Sequence, residues 1–559
     1  MKKGYMSKLT LIPLGGMGNV TQNMYLYEYE NEILIVDCGI GFPDHYMPGV
    51  DILIPDISYL LKRIEQGSKI VGMILSHGHD DHIAATPYLL PHLPEDFPIY
   101  GSPLTAVFAE QRMGDGKVQR KVTVVSDKKT EKISNFFSAE FISVTHSVPD
   151  TKHIVIHTPE GIIYHGTDFK LDPAPVDGKV TDMQAISALK DRNVLCMLID
   201  CLGVEKSEWV KSESTCGPAI EQTMAETKGK YVLTLMSSHI HRIQQAVNAA
   251  EKFNRKVAFI GRSVEQNVKN AVDLKMLHIP DGVQIDKRDL DQHADDKLCV
   301  IVAGSQGQEG SSLVRAIFGD HRILQIKQND KVVFSASAIP GSELNYYGAI
   351  DELSRNGIHV VYPTLLPDLH QSGHGSAPEQ HEIVSSIMPQ YLMPIGGQDR
   401  HRVLFDTVVA EKLGYSQDAV LMPSTGEVLG FENGKVSVVD TITLKPQVVD
   451  GLGVGDVGPI VLSDRRMLGQ AGMVVVVMPR FKGRLELDKI KVISKGFVFV
   501  KEADEVVQFI RQETAKIAAD NKAPKDDQGL TKLIEKRLAR KLYKIIRREP
   551  MIIPVILDL

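Results

Sequence analysis

A dense run of histidines and aspartates after an apolar stretch constrains this chain more than any other feature. Residues 69–75 are mostly apolar over the length of a strand, and Ser-His-Gly-His-Asp-Asp-His follows at 76–82. A helical pattern of apolar residues then begins at Ile83. Imidazoles and carboxylates on such a strand-to-helix turn point into a common space, and they suit zinc or a similar divalent ion. The turn therefore predicts a metal site, with a solvated polar loop as the alternative, and the candidate ligands are His77, His79, Asp81 and His82.

Three more polar side chains come shortly after predicted strands. They are Asp37, His146 and Asp168. Each one alone is more typical of a turn or a helix cap. Because all three fall at strand ends, as the histidine cluster does, we expect them to share one site with it.

The length and the charge set limits on the class of protein. A chain of 559 residues exceeds a single core and predicts about two to four domains. With 43% hydrophobic and 24% charged residues, the composition is ordinary for a globular protein. The net charge of -7 gives no overall attraction to nucleic acid or anionic lipid. A polyanion would have to be held locally, by metal ions and basic residues in a cleft.

The cysteines and the apolar runs predict the compartment. The five cysteines are scattered and form no CxxC pair, which favours reduced thiols in a cytosol. We find no signal peptide at the start of the chain. The most apolar run, 473–478, is far shorter than the roughly 20 residues that span a bilayer. We therefore predict a cytoplasmic protein that does not enter a membrane.

The pattern of predicted elements changes along the chain. Short strands with glycine turns run from Leu9 to about Ile199, and alternating strands and helices, typical of a parallel sheet, follow as far as Tyr362. The first pattern then returns. We divide the chain into the first part of the metal-site domain (1–201), an inserted domain (202–362), the second part of the metal-site domain (363–430), a linker (431–447) and a C-terminal domain (448–559).

The C-terminal domain has its own predicted elements. We expect strands around Pro459–Leu462, Gly472–Met478 and Gly496–Val500, and then two helices joined by a linker at 519–529. The last helix has an apolar stripe on one side and basic residues on the other. A solvated helix face is the favoured interpretation of these basic residues, and RNA contact is the alternative.

Motifs along nearly the whole chain resemble those of one protein family. Besides the cluster at 76–82, they include Gly-Thr-Asp-Phe-Lys at 166–170, Gly-Arg-Ser at 261–263, Ser-Gly-His-Gly at 372–375 and Asp-Gly-Leu-Gly-Val-Gly-Asp at 450–456. The chain resembles the metallo-β-lactamase superfamily, within it the β-CASP nucleases, and among those most closely the ribonuclease J family. The resemblance implies an α/β fold: an αββα sandwich with an inserted β-CASP parallel-sheet domain and a small α+β C-terminal domain.

The resemblance also implies a set of metal ligands. One ion would be held by His77, His79 and His146, a second by Asp81 and His82, and Asp168 would bridge them. Zinc is the first expectation for both ions, with manganese or magnesium as alternatives. Asp37 is placed to accept a hydrogen bond from a ligand imidazole and to fix its tautomer.

One position departs from the family pattern. Where the family has its last histidine ligand, this chain has Gly396, and nothing in the sequence assigns that role to the nearby His401. The second metal should therefore be held more weakly. This departure raises an alternative, that the chain is a weakly active or inactive scaffold subunit paired with a competent paralogue.

The predicted chemistry is hydrolysis of a phosphodiester bond. Two metal ions acidify a water and clamp the phosphoryl oxygens, with Asp81 and Asp168 holding the ions. By resemblance, Asp200 and His374 transfer the proton to the leaving oxygen. Asp51 and Asp450 resemble positions that bind a structural calcium. Residues expected to bind substrate, some of them in a pocket for a 5′-monophosphate, are Ser238, His241, Arg242, Gly261, Arg262, Ser263, Ser305, His370, Gln371, Ser372, Gly373 and His374.

These observations predict a metal-dependent ribonuclease of RNA processing and decay. We expect 5′-to-3′ exonuclease activity on single-stranded RNA, favouring 5′-monophosphate ends, together with endonuclease activity. A nuclease of the same fold acting on DNA is a further alternative. The resemblance implies a homodimer or homotetramer, and a hetero-oligomer with a paralogue is the other arrangement considered.

Overall fold

The computed structural model describes residues 8–44, 46–127, 129–339, 341–445, 447–451, 453–455, 457–497, 503–520 and 522–559. The chain forms two compact units. The first unit comprises Met1–Phe42 and Leu53–Gln447, and the second comprises Pro43–Ile52 and Val448–Leu559.

Up to residue 441 the strands are β1 (Leu9–Pro13), β2 (Tyr25–Tyr29), β3 (Glu32–Val36), β4 (Ile52–Ile54), β5 (Lys69–Leu75), β6 (Ile99–Gly101), β7 (Val122–Val124), β8 (Glu131–Lys132), β9 (Ser138–Ser143), β10 (Lys152–Thr158), β11 (Gly161–His165), β12 (Val194–Asp200), β13 (Tyr231–Thr234), β14 (Lys256–Ile260), β15 (Leu298–Val302), β16 (Lys331–Phe334), β17 (His359–Val361), β18 (Tyr391–Ile395), β19 (Glu427–Glu432) and β20 (Lys435–Thr441). The α-helices of this part are α1 (Ser58–Glu65), α2 (Asp80–Ile83), α3 (Thr86–Leu89), α4 (Pro103–Asp115), α5 (Met183–Ser187), α6 (Cys216–Ala225), α7 (Ile240–Lys252), α8 (Arg262–Asp273), α9 (Ser312–Ile317), α10 (Glu343–Arg355), α11 (Ala377–Ile387) and α12 (Asp399–Phe405).

Two sheets pack face to face in the first unit. One has the strand order β20-β19-β1-β2-β3-β5-β6-β7 and the other the order β18-β12-β11-β10-β9-β8. Side chains from both sheets, among them Leu11, Leu34, Ile154 and Leu198, are fully or almost fully buried between them. Helices α5, α11 and α12 cover the outer face of the second sheet, and α4 contacts β6 and β7 of the first. The predicted sandwich with outer helices is confirmed.

A third sheet lies in the segment between β12 and β18. Its strand order is β14-β15-β13-β16-β17, and every neighbouring pair is parallel. The strands are apolar on both sides, as expected where helices cover both faces of a parallel sheet. The predicted inserted parallel-sheet domain is therefore confirmed as a fold, and β12 and β18 on either side of it pair directly with each other.

The segment 431–447 is not the linker that the sequence predicted. It holds the end of β19 and the whole of β20, which pair antiparallel and extend the first sheet. Most residues of β20 are exposed. Because an exposed edge strand lacks the strict alternation of buried and exposed residues, its sequence looked like a connection.

From residue 447 on, the strands are β21 (Gln447–Asp450), β22 (Gly453–Val454), β23 (Met473–Phe481), β24 (Arg484–Leu485), β25 (Lys491–Lys495) and β26 (Met551–Asp558), and the helices are α13 (Pro459–Ala471), α14 (Ala503–Ala518) and α15 (Asp527–Ile546). Strand β23 pairs with β25 antiparallel and with β26 parallel. Buried side chains of β23, such as Val474 and Val476, pack with those of α14 and α15, such as Ile510 and Ile534.

Two predictions for the C-terminal domain need correction, and a third falls partly on residues that the structure does not describe. The strand predicted at 459–462 is wrong, because α13 begins at Pro459, a position that proline favours at a helix start. The linker predicted at 519–529 ends earlier, since α15 starts at Asp527. Of the strand predicted at 496–500, residues 498–500 lie outside the described residues. Strand β26 was not predicted, and Pro554 within it is typical of an edge strand.

Among the residues that the structure describes, no helix is long and apolar enough to cross a membrane.

Candidate metal centre and catalytic site

The predicted ligands lie at strand ends along one side of the sandwich. The histidine cluster follows β5, and Asp37 follows β3, which runs parallel to β5. In the second sheet Asp168 follows β11 and Asp200 ends β12, and these two strands are also parallel. Because parallel strands end at the same edge of a sheet, these residues come together although they are distant in sequence.

Four donors form the first candidate metal site. They are His77, His79, His146 and Asp168. The Nδ1 atom of His79 lies 3.2 Å from the Nε2 atoms of both His77 and His146. Those Nε2 atoms each lie 3.6 Å from Oδ2 of Asp168. Ligand atoms of a tetrahedral zinc site are roughly 3.4 Å apart, so this donor set fits such an ion.

The protonation of these imidazoles also suits metal binding. Burial lowers the pKa of His79 to about 3 and lowers the pKa values of His77 and His146 well below the usual range. Neighbouring imidazoles act in the same direction. Neutral rings with free lone pairs are the form that metals require.

Asp168 also belongs to a second group, with Asp81 and His82. The Nε2 atom of His82 lies 3.7 Å from Oδ2 of Asp81 and 3.7 Å from Oδ2 of Asp168. Burial raises the pKa of Asp168 to about 7. One carboxylate between two donor groups can bridge two ions, but this second group has three donors where the first has four.

Asp37 anchors both the turn and the second group. Its carboxylate accepts hydrogen bonds from Nδ1 of His82 at 2.7 Å and from the backbone N and Oγ of Ser76 at 2.8 Å each. Asp37 is fully buried and has a left-handed backbone, with φ of 61°. Burial alone would lower the pKa of His82, but the carboxylates of Asp37, Asp81 and Asp168 outweigh it and raise the pKa to about 10. Asp37 therefore fixes the orientation of this ring.

A third group joins Asp168 to Asp200 and His374. His374 Nδ1 donates to Oδ2 of Asp200 at 2.7 Å, and its Nε2 lies 4.0 Å from Oδ2 of Asp168. Burial lowers the pKa of His374, but the two carboxylates outweigh that effect and raise it to about 9. A protonated imidazole held by one carboxylate beside the metal ligands is suited to give up a proton.

The loop 370–374 is fastened to the centre by its backbone. The carbonyl oxygen of Gly373 accepts a hydrogen bond from Nδ1 of His146 at 2.7 Å. A Cβ at Gly373 would lie 2.8 Å from Cβ of Ser147 and 3.0 Å from Cε1 of His146. Only glycine permits this close approach. The carbonyl oxygen of Gly373 can therefore reach Nδ1 of His146 and fix the orientation of the ring.

Gly396 lies where the sequence predicted a missing ligand. It has φ of 66°, and a Cβ on it would lie 3.4 Å from Oδ1 of Asp200 and 3.7 Å from Oδ1 of Asp168. A side chain at 396 would therefore point toward the second and third groups. His401 does not replace it, since its Nδ1 accepts from the backbone N of Gln398 and its Nε2 lies 3.5 Å from Oε2 of Glu205.

The residues predicted to bind substrate lie in two places. Ser238, the segment 261–263 and Ser305 follow the neighbouring parallel strands β13, β14 and β15 and so share one edge of the inserted sheet. Residues 370–374 lie beside the metal groups.

Arg242 and His241 have a different setting. Both are buried, and the Arg242 guanidinium binds the carboxylate of Glu213 through Nε at 2.8 Å and Nη2 at 2.6 Å. It also donates to the backbone oxygen of Ser335 and contacts Nδ1 of His370 at 2.8 Å. This setting favours a role in positioning the 370–374 loop. The roles of Glu213 and Ser76 were not predicted, because no motif or spacing in the sequence marks either of them as part of the site.

The predicted calcium residues lie in the second unit. The backbone N of Gly451 donates to Oδ2 of Asp51 at 2.8 Å, and the Arg465 guanidinium is paired with Oδ2 of Asp450. A guanidinium on one of the two carboxylates does not favour a cation there. The metal-capable groups found among the described residues do not include this pair.

Comparison with protein families finds three matches along the chain. Residues 17–174 match the metallo-beta-lactamase superfamily, residues 228–353 match the ribonuclease J beta-CASP domain, and residues 460–559 match the ribonuclease J C-terminal domain. The order of the three agrees with the three sheet regions described above.

Similar proteins match over almost the full length. Ribonuclease J 1 of Streptococcus pyogenes is 32% identical over 99% of this chain and 98% of its own. Ribonuclease J of Thermus thermophilus is 33% identical, over 99% and 96%. Ribonuclease J2 of Bacillus subtilis is 31% identical, over 100% of both chains. A crystal structure of a protein of unknown function from Enterococcus faecalis has a TM-score of 0.54 at 16% identity, over 76% of this chain and 100% of that one, and it supports the fold.

Proposed function

The chain belongs to the ribonuclease J family, and on this premise we propose how its centre acts on RNA. It is a metal-dependent ribonuclease of the metallo-β-lactamase fold. We propose a 5′-to-3′ exonuclease on single-stranded RNA, favouring 5′-monophosphate ends, with endonuclease activity, in RNA processing and decay. The observation that carries the proposal is that the three donor groups share Asp168.

The proposed ligand sets follow the donor groups. His77, His79 and His146 would hold one ion, Asp81 and His82 would hold the other, and Asp168 would contribute a ligand to both sets. When bound, such ions supply a nucleophile at neutral pH and neutralise charge on the phosphoryl oxygens. The imidazole-rich first set favours zinc, while manganese or magnesium remains an alternative, above all for the second set.

We assign proton transfer to Asp200 and His374. The hydrogen bond between them, 2.7 Å long, orients the imidazole, and the raised pKa keeps it protonated at neutral pH. From Nε2 the ring can give its proton to the leaving oxygen of the RNA. The Asp200 carboxylate stabilises the His374 ring both before and after the ring gives up this proton.

We place the 5′-phosphate at the edge formed by the ends of β13, β14 and β15. Ser238, residues 261–263 and Ser305 follow neighbouring strands at that edge, and backbone amides at strand ends and helix starts can bind phosphate. A pocket for a terminal phosphate would favour digestion from the 5′ end.

One assay tests the proposal directly. RNA with a 5′-monophosphate and RNA with a 5′-triphosphate are digested with zinc, manganese and magnesium in turn. We expect mononucleotides from the monophosphate substrate first, and no cleavage by the double variant His79→Ala/Asp81→Ala. Full cleavage by that correctly folded double variant would overturn the assignment of the centre.

A second candidate function rests on Gly396. Because a side chain is missing where one would point toward Asp168 and Asp200, the second ion is held by fewer donors. A weakly active scaffold subunit paired with a competent paralogue would then bind RNA but cleave it slowly. Metal content of one ion or less per chain, with RNA binding retained, would favour this candidate. DNA and RNA oligonucleotides in competition test the remaining alternative, a DNA nuclease.

We further propose a cytoplasmic homodimer or homotetramer, or a hetero-oligomer with a paralogue. All five cysteines are buried and unpaired, which suits a reducing compartment. Light scattering of the purified chain, alone and with a paralogue, measures the oligomeric mass.

A further inference from the structure

The outer side of helix α15 carries a row of positive side chains. Lys532, Lys536, Arg540 and Lys544 follow one another at intervals of four residues, and all four are exposed. Residues at this spacing are neighbours along one side of a helix. We call these four residues the basic row.

The basic row differs from three other cations on or next to α15. Arg537 pairs with Asp520 at 3.1 Å, Lys541 pairs with Glu513 of α14, and Arg548 donates to the carbonyl oxygen of Phe497 at 2.8 Å. These three residues fasten α15 to its own unit. No member of the basic row makes an ion pair or a side-chain hydrogen bond within the part of the chain that the structure describes.

The charge of α15 is not balanced within the helix. Six basic and two acidic residues give it a net charge of +4, in a chain whose net charge is -7. One of the two acids, Asp527, is already paired with Arg480. Like charges four residues apart destabilise a helix. The row therefore has a cost for folding that no described contact offsets, as expected of a surface that meets an anionic partner.

The geometry of the row fits a phosphate backbone. Four residues of an α-helix rise by about 6 Å, so the row spans about 18 Å. This step is close to the separation of successive phosphates in an extended single strand. Tyr543, three residues after Arg540, is 43% exposed, and the Arg547 guanidinium lies over its ring, 5.4 Å from the centroid. Cations along a backbone with an aromatic ring beside them are typical of surfaces that bind single strands.

We propose that the basic row binds the sugar-phosphate backbone of single-stranded RNA, at a surface that contains no residue of the metal centre. The proposal rests on RNA being the substrate of the centre. It gives the second unit a role in holding substrate, so that loss of the row weakens the binding of long RNA most. The sequence alone favoured a solvated face, but the single sign of the row, its regular spacing and its lack of partners together favour RNA.

Binding is tested in the cleavage-inactive background His79→Ala/Asp81→Ala. Fluorescence anisotropy measures the affinity for poly(U) of about 40 nucleotides and of about 6 nucleotides. The variant Lys532→Gln/Lys536→Gln/Arg540→Gln/Lys544→Gln keeps good helix formers at every position. We expect it to weaken binding of the long RNA at least about tenfold and to reduce the salt dependence of log K by about 0.7 per lost contact. Binding of the short RNA, which makes fewer backbone contacts, should weaken less.

The matched control removes the same charge elsewhere. Lys62, Lys228, Lys412 and Lys435 are exposed lysines of the first unit, and their joint replacement by Gln should leave the long-RNA affinity within about twofold. Equal losses in both variants would reduce the effect to net charge and overturn the proposal. So would a row variant with unchanged RNA affinity, including one that altered only the oligomeric mass. Cleavage of the short RNA by the row variant in the active background tests the metal centre separately.

Discussion

Gly396 is the residue at which we expect the strength of the proposed second metal site to be set. Its backbone is left-handed, a conformation that histidine adopts more readily than most residues. We expect Gly396→His to tighten binding of the second ion at least about tenfold, since even outer partners of metal ligands change affinity by 10- to 100-fold. Competition with a chromophoric chelator measures the affinity. Gly396→Ala carries the same backbone strain without the imidazole, so equal behaviour of the two variants would contradict the prediction.

His153 makes stability depend on pH without touching the metal ligands. It is fully buried, with its Nδ1 2.6 Å from the Tyr164 hydroxyl and its Nε2 3.1 Å from the Thr167 oxygen. Burial lowers the pKa of His153 to about 3. An unfolded histidine titrates near 6.5, so below that pH the unfolded chain binds a proton that the folded protein does not. The stabilisation is present at neutral pH and is lost as the pH falls through about 6.5.

We therefore expect His153→Gln to flatten this dependence. Between about pH 7 and pH 5 the free energy of unfolding of the metal-free protein should fall by about 2 kcal/mol less than in the parent. Urea unfolding at the two pH values provides the measurement. His278→Gln, at an exposed position, is the control and should keep the parental dependence. A parental dependence in His153→Gln would show that this ring is already charged in the folded state.

Among the strands and helices, α7 carries a buried ion pair whose arginine also contacts the 370–374 loop. Arg242 on α7 binds Glu213 and contacts His370. Arg242→Met leaves the Glu213 carboxylate buried without its partner, which costs about 3–5 kcal/mol. Chemical denaturation measures this loss. In the double variant Arg242→Met/Glu213→Gln the loss should be clearly smaller than the sum of the two single losses. Additive losses would mean that the pair is not coupled.

The elements that could be predicted from the sequence are those with two signals, an apolar run and a polar residue at its end. Strands β5 and β12 are almost wholly apolar, and polar site residues follow β5 directly and end β12, so the sequence indicated both the strands and the ends that carry the site. Strand β20 is a mostly exposed edge strand, α13 has no buried residue, and β26 is apolar from Met551 to Leu557 on its buried and exposed sides alike. Their sequences lack the periodicity that burial on one face imposes.

The candidate site also divides into residues that the sequence indicated directly and contacts that it did not. His77, His79, Asp81 and His82 were readable because they lie within six residues of one another. The contact of His146 with Gly373 spans 227 residues, and that of His374 with Asp200 spans 174. Such pairings depend on how strands are ordered in the sheet. From one sequence they could be reached only through the family resemblance.

For the molecule as a whole, metal loading and folding are linked. An ion that binds only the folded state adds about 2.7 kcal/mol when its concentration is 100 times the dissociation constant. We expect chelation to lower the melting temperature of the first unit by a few degrees and zinc to restore it. Differential scanning calorimetry measures the shift. His79→Ala/Asp81→Ala should lose the response to zinc, and a full response in that variant would place the ion elsewhere.

The pairing of distant strands governs when the centre can exist during synthesis. Strand β1 is completed by β19, with Leu9 opposite Phe431, and β12 is completed by β18, with Cys196 opposite Tyr391. His374 is also made late. A nascent chain that has left the ribosome only up to the inserted sheet therefore has the first histidines and Asp200 but still lacks β18, β19 and His374. It cannot cut the message being translated until nearly all of the first unit has emerged.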